Sequence, residues 1–279
     1  MRINSNENLT EGRSFNRRGC DIIEERIIRT ERELSNIRRY IKNKPASWPS
    51  DPKPMKPTTK TIRHLHTLLI AEYGEPEWHP RDPVASLVNT ILSQNTNDVN
   101  RDRAFDQMRE RLPTWEAVRD APLGELIDAV RPAGLAPTKA PRIQEALRRI
   151  TAERGEISLE FLADWGVEEA RTWLLSIPGV GPKTAAIVLL FALGKPAFPV
   201  DTHIHRVTRR LGLIPDKISR EKAHGLLESL VPPDLYYPLH LNIIEHGRAV
   251  CHARNPKHEQ CVLREQCAFY ANLGSADGA

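Results

Sequence analysis

Apolar residues recur every three to four positions through most of the chain from Thr61 to about Leu273. That spacing gathers them on one face of an α-helix. The segments DPVASLVNTILSQ, NRDRAFDQMRERL, TWEAVRDA, LGELIDAVRPAG, APRIQEALRRITAER, SLEFLADW and EEARTWLLSIPG each predict a short helix, and Gly or Pro punctuates most junctions. Alternating strand patterns with hairpin turns are absent, as is any repeat that would signal a solenoid. The expected fold class is therefore all-α. Upstream, Asp21–Lys42 sets Ile23, Ile27, Thr30, Leu34, Ile37 and Ile41 on one helical stripe. This reads as a helix packed on the main domain, with a short coiled-coil contact as the alternative. The prolines of Asn43–Lys60 block both helix and central strand and mark a linker. Residues 1–20 are polar and expected to be disordered.

Composition narrows the class further. At 279 residues and 40% hydrophobic content, the chain can bury a core without disulfides. Its longest apolar run, Ala185–Leu193, is too short to span a bilayer. The N-terminus also lacks a signal-peptide apolar region. An intracellular protein is expected, in the cytoplasm or nucleoid, or in a nucleus. Net charge is +4 and the pI about 8.9, which leans toward polyanionic partners. The bias is uneven: residues 1–60 hold 14 Lys/Arg against 8 Asp/Glu, and the remainder holds 26 against 28. That basic extension is either a nucleic-acid arm or a solvated helix.

Two chemical groups stand out around the apolar run. In LLSIPGVGPKTAAIVLL a helix is expected to end at Pro178, with a Gly179–Val180–Gly181 turn and Pro182 opening the next helix. Two glycines permit positive φ and close backbone approach, so the N–H groups at the helix start can face a phosphate. Lys183 then falls in the first turn, where the helix dipole and apolar neighbours oppose protonation. A lysine so placed is a candidate nucleophile, and the plainer reading is a surface phosphate contact. Asp201, in FPVDTHIHRVTRRLGL, is expected to cap the following helix. A capping carboxylate at the mouth of a cleft also stabilises positive charge developing on a sugar ring.

LLSIPGVGPKTA followed by FPVDTH resembles the helix-hairpin-helix and Gly/Pro-Asp signature of the DNA base-excision glycosylase superfamily. Its lysine points to the endonuclease III branch. The likeness covers roughly residues 61–272 and implies a two-lobed all-α fold with DNA in the cleft. The implied lobes are a six-helix lobe at 82–195 and a second lobe at 61–81 plus 196–272. Residues 1–60 form the extension and 273–279 a tail. The resemblance implies a bifunctional glycosylase and abasic-site lyase acting on damaged, oxidised pyrimidines in double-stranded DNA, as a monomer. Lys183 would attack the sugar C1′ and Asp201 would support departure of the base, followed by β-elimination. A monofunctional uracil or mismatch glycosylase and a noncatalytic DNA-binding protein are the alternatives. The adenine-specific branch is disfavoured, because no Glu lies in Val88–Ile91. Gln94 and Asn95, in LSQNTND, are similar to the loop that fills the gap of an extruded base, and amides offer both donor and acceptor there. Leu135, in RPAGLAPTKA, resembles the wedge residue. Gly179, Gly181, Thr184 and His203 complete the expected DNA contacts, with His203 and His205 otherwise packing groups.

Of four cysteines, Cys20 lies alone in the extension and three crowd CHARNPKHEQCVLREQC. The family's iron–sulfur spacing, C-x6-C-x2-C-x5-C, is matched by Cys251, His258, Cys261 and Cys267, with histidine in the second slot. The resemblance implies a [4Fe–4S] cluster. Three thiolates and an imidazole also suit zinc, and His252 is an alternative nitrogen donor.

Overall fold

A computed structural model describes residues 58–274, and within them every regular element is a helix. The expected helix at 21–42, the basic arm and most of the linker lie outside the described residues. In chain order the α-helices are α1 (Thr59–Tyr73), α2 (Pro83–Leu92), α3 (Asp98–Arg111), α4 (Trp115–Asp120), α5 (Leu123–Ala129) and α6 (Ala136–Arg154). They continue with α7 (Val167–Ser176), α8 (Pro182–Ile187), α9 (Thr202–Arg210), α10 (Arg220–Leu230), α11 (Tyr236–Ala249) and α12 (Ala268–Gly274). No helix among the described residues is long and apolar enough to cross a membrane.

Short polar side chains start many of these helices, as their spacing before each apolar face dictates. Asp82, Asn97, Thr114, Asp201 and Ser219 each accept a hydrogen bond from a first-turn backbone N–H, which satisfies a donor that a helix start leaves orphaned. Three expectations change in detail. The SLEFLADW segment is a single 3-10 turn at Glu160–Ala163 rather than an α-helix. Helix α6 begins at Ala136, four residues before the apolar stripe that predicts it, and carries Pro141 inside. Helix α7 closes at Ser176 rather than Pro178.

Two hydrophobic cores organise the molecule. The first draws on α2 to α8, from Val84 to Ala197, with Leu87, Ile91, Met108, Ile143, Leu147 and Leu189 fully buried. The second joins Ile62, Leu65 and Leu69 of α1 to Leu190, Phe191, Phe198 and the apolar faces of α9 to α11. The apolar run after Lys183 links them. Helix α8 widens into a π-helical turn at Val188–Ala192. That turn sends Leu189 into the first core and Leu190 and Phe191 into the second. A register change of this kind lets one continuous helix serve two cores.

Candidate active site and cluster loop

The hairpin between α7 and α8 uses its two glycines differently. Gly179 has φ +83°, and a Cβ there would stand 2.8 Å from Cδ of Arg142. Gly181 is extended, with φ −102° and ψ 178°, and a Cβ would meet nothing within 4 Å. Positive φ is therefore required once, at Gly179. The open space at Gly181 leaves the start of α8 approachable from outside. Pro182 takes the first helical position, as expected.

Lys183 is half-buried and makes no hydrogen bond or ion pair among the described residues. Burial pushes its amine below the usual lysine range. The charge of Asp201 opposes this shift, Arg101 reinforces it, and Asp98 and Arg220 add smaller opposing and reinforcing effects. Asp201 caps α9, its Oδ1 accepting from the Ile204 N–H at 2.7 Å. Its Oδ2 has no hydrogen-bond partner among the described residues. The carboxylate is thus held by one oxygen while its charge reaches Lys183. His203, the second residue of α9, is half-buried, and its Nδ1 lies 3.0 Å from Arg206 Nη2. His205 packs through Nε2 on the carbonyl of Ile218 at 2.9 Å.

The remaining expected DNA contacts divide. Gln94 is tethered to the hairpin: its Nε2 donates to the Gly179 carbonyl at 3.4 Å and its Oε1 accepts from Arg142 at 3.0 Å. Asn95 is exposed in a left-handed conformation, φ 52°. Leu135 has φ 50° and is 55% exposed, an apolar side chain held in solvent by a backbone that leucine rarely adopts. Thr184 is 4% exposed, next to Ala185 and Ala186 of the first core.

Sequence reasoning missed the ionic surround. Asp98 Oδ1 accepts from Arg101 at 2.6 Å and its Oδ2 accepts from Arg248 at 2.5 Å. Asn97 and Asp98 signal the start of α3, but nothing local signals Arg248, 150 residues further on. Arg142 was also missed, hidden on the polar side of α6.

The C-terminal loop is held against the far end of α9. Arg210 donates to Cys251 Sγ at 3.2 Å, to the His252 carbonyl at 2.7 Å and to the Ala253 carbonyl at 3.1 Å. Cys267 Sγ donates to the Arg210 carbonyl at 3.4 Å, and Arg206 donates to the Cys251 carbonyl at 2.9 Å. Cys261 Sγ lies 3.5 Å from Nε2 of His246, whose Nδ1 meets the Tyr73 hydroxyl at 2.9 Å. Burial lowers His246 to about 4, so this imidazole is neutral. Burial pushes the Cys261 thiol up to about 11, and the charges of Cys267 and Cys251 add to the rise. Three half-buried thiols gathered by one loop form a donor set suited to a cationic metal group. His258 stacks on Phe269 at 6.0 Å and lies tilted against Tyr270 at 5.2 Å. His252 has its Nε2 engaged with the Ala249 carbonyl at 3.0 Å, which weakens it as an alternative ligand. No three His, Cys, Asp or Glu side chains among the described residues converge on a single-ion site.

Residues 88–233 match the family model of HhH-GPD superfamily base excision DNA repair proteins, and residues 251–267 match the iron–sulfur binding domain of endonuclease III. The chain belongs to the HhH-GPD superfamily. Within it the resemblance is to the endonuclease III branch. Endonuclease III of Thermotoga maritima is 35% identical over 196 residues, covering 70% of this chain and 87% of that one. Endonuclease III of Sulfolobus acidocaldarius is 32% identical over 192 residues, covering 68% and 83%. Among solved structures, a non-covalent endonuclease III–DNA complex superposes with TM-score 0.67 at 27% identity, covering 78% of this chain and 99% of that one. A trapped endonuclease III–DNA covalent intermediate gives 0.65 at 28% identity, covering 78% and 99%. This HhH-GPD protein is accordingly a base excision repair DNA glycosylase with the abasic-site lyase activity of its branch, and it binds DNA. Its cofactor is a [4Fe–4S] cluster rather than zinc, since the matched loop is an iron–sulfur domain.

Proposed function

We propose that Lys183 is the nucleophile and Asp201 the supporting carboxylate of base excision, and that the substrates are oxidised pyrimidines in double-stranded DNA. The observation that carries this reading is a half-buried, unpartnered lysine amine, depressed by burial, within the field of a carboxylate fixed by its helix cap. The neutral amine attacks C1′ as the C1′–N bond breaks and the base leaves with the bonding electrons. Asp201 stabilises the positive charge that develops on the sugar. One amine proton passes to the departing base, and opening of the C1′–O4′ bond with protonation of O4′ leaves a protonated Schiff base on Lys183. Removal of a C2′ proton then expels the 3′ phosphate, and water releases the enzyme.

Around this pair, Gln94 and Asn95 fill the gap of the extruded base and Leu135 wedges the stack. The backbone at Gly179, Gly181 and Thr184 grips phosphate, and His203 contacts the same strand. The two cores support a division into one lobe at 82–195, which holds the seven α-helices α2 to α8 rather than the six expected, and a second lobe at 61–81 plus 196–272. The enzyme acts as an intracellular monomer. Cys251, His258, Cys261 and Cys267 would hold the cluster, which when bound ties the loop together as a covalent staple. Arg206 and Arg210 fasten that loop to α9, the helix that Asp201 caps.

Borohydride added during incubation with abasic-site DNA tests the reading. A covalent adduct is expected with the native enzyme and none with Lys183→Gln. An undiminished adduct in that variant would falsify the assignment of Lys183.

A further inference from the structure

A second lysine has no place in the chemistry above. Lys139, on the fourth residue of α6, is 1% exposed, and no carboxylate pairs with it among the described residues. Its ammonium donates to the Leu92 carbonyl at 2.7 Å and to the Ala133 carbonyl at 2.8 Å. Leu92 is the last residue of α2, and Ala133 the last of the 3-10 turn Arg131–Ala133. Both carbonyls belong to helix ends, which leave their last acceptors unpaired. The Lys139 backbone N–H also donates to the Leu135 carbonyl at 3.0 Å. One residue therefore satisfies carbonyls at the base of two separate loops.

Those loops have the same plan. Three residues past Leu92 the chain reaches Asn95 at φ 52°, and two past Ala133 it reaches Leu135 at φ 50°. Asn95 and Leu135 are two of the three non-glycine residues with positive φ among the described residues. Left-handed backbone at such residues persists only where its surroundings over-determine it. A buried cation on helix-end carbonyls supplies that constraint, with the charge sign the end of a helix dipole favours.

We propose that Lys139 is a positioning residue that locks the gap-filling loop of Gln94 and Asn95 to the wedge loop of Leu135, so that both enter the DNA stack as one rigid unit. The inference rests on the reading of those loops as the DNA probes. An amine donates to two carbonyls whether it carries two protons or three, so the lock does not depend on titration. It predicts that discrimination of damaged from undamaged duplex, rather than phosphate affinity, depends on Lys139.

The test compares affinity for a duplex carrying a reduced abasic site opposite 2-aminopurine with affinity for the undamaged duplex, and records 2-aminopurine fluorescence. For Lys139→Met the affinity ratio is expected to fall roughly tenfold, the scale of losing well-made buried hydrogen bonds. The fluorescence change should shrink, while undamaged-duplex affinity stays level. Lys139→Arg, which keeps a cationic donor, should recover part of the ratio. Gln94→Ala and Leu135→Ala run alongside. If each lowers the ratio while folded Lys139→Met does not, the lock is overturned and the loop reading survives. If neither lowers it, the loop reading fails and the lock falls with it. Should Lys139→Met fail to fold, the Gln94→Ala and Leu135→Ala double-mutant cycle decides with Lys139 in place: rigidly joined loops give effects that are non-additive by about threefold or more. Additive effects overturn the proposal.

Discussion

Gly179→Ala and Gly181→Ala change one atom each within the same hairpin, yet the geometry predicts unequal outcomes. At Gly179 an alanine must hold φ +83°, which costs about 1–2 kcal/mol for a residue with a Cβ. The new methyl would also lie 2.8 Å from Arg142 Cδ and 3.1 Å from its Cγ, so the arginine has to move. Moving it breaks the 3.0 Å bond to Gln94 Oε1, worth about 1 kcal/mol. The sum is roughly 2–3 kcal/mol of lost stability. At Gly181 the backbone is extended and the space open, so a small entropic gain offsets a slightly poorer helix cap. Stability there should change by less than about 0.5 kcal/mol. DNA affinity should still fall, because the methyl stands where phosphate reaches the start of α8. Urea unfolding of both variants, paired with binding to undamaged duplex, reads the two effects separately. Equal destabilisation by the two alanines would refute the assignment of distinct roles.

Asp201→Asn should keep the cap, and hence the melting temperature, since asparagine caps as well as aspartate; base excision measured in single turnover should drop by about 10²-fold. The same substitution removes the charge that holds protons on Lys183, so its neutral form should appear at lower pH and the rising limb of the trapping rate should shift that way. His258→Cys should preserve bound iron and lower the cluster potential, whereas His258→Ala should make iron labile to chelator; equal iron retention and unchanged spectra in the alanine variant would remove His258 from the ligand set. Deleting residues 1–57 should leave single-turnover excision intact and flatten the salt dependence of nonspecific binding; an unchanged salt slope would show that the extension does not touch phosphate.

Much of this architecture is legible in the sequence because its signals are local. Asp82 before Pro83, Asn97 before α3 and the Gly179–Pro182 turn announce helix ends through caps and backbone chemistry. The likeness of LLSIPGVGPKTA and FPVDTH to the family signature singles out Lys183 and Asp201 as the proposed pair before any geometry is known. The rest depends on tertiary packing. Periodicity shows that Leu189 and Leu190 are buried but not that a π-helical turn sends them to different cores. Asp98 and Arg248 meet across 150 residues, and Lys139 looks like a surface lysine among Pro, Thr and Ala until the carbonyls of Ala133 and of Leu92, 47 residues away, are seen to hold it. Nor does anything local show that Thr184, next to Lys183, is buried against the first core.

The assignment of the nucleophile is tested most directly by locating the covalent bond itself. The native enzyme is trapped with borohydride on abasic-site DNA, digested with nuclease and protease, and the modified peptide is sequenced by mass spectrometry. The reduced sugar remnant is predicted on the Nζ of Lys183, in the peptide that begins the α8 helix. A remnant on any other amine, with Lys183 unmodified, would contradict the account.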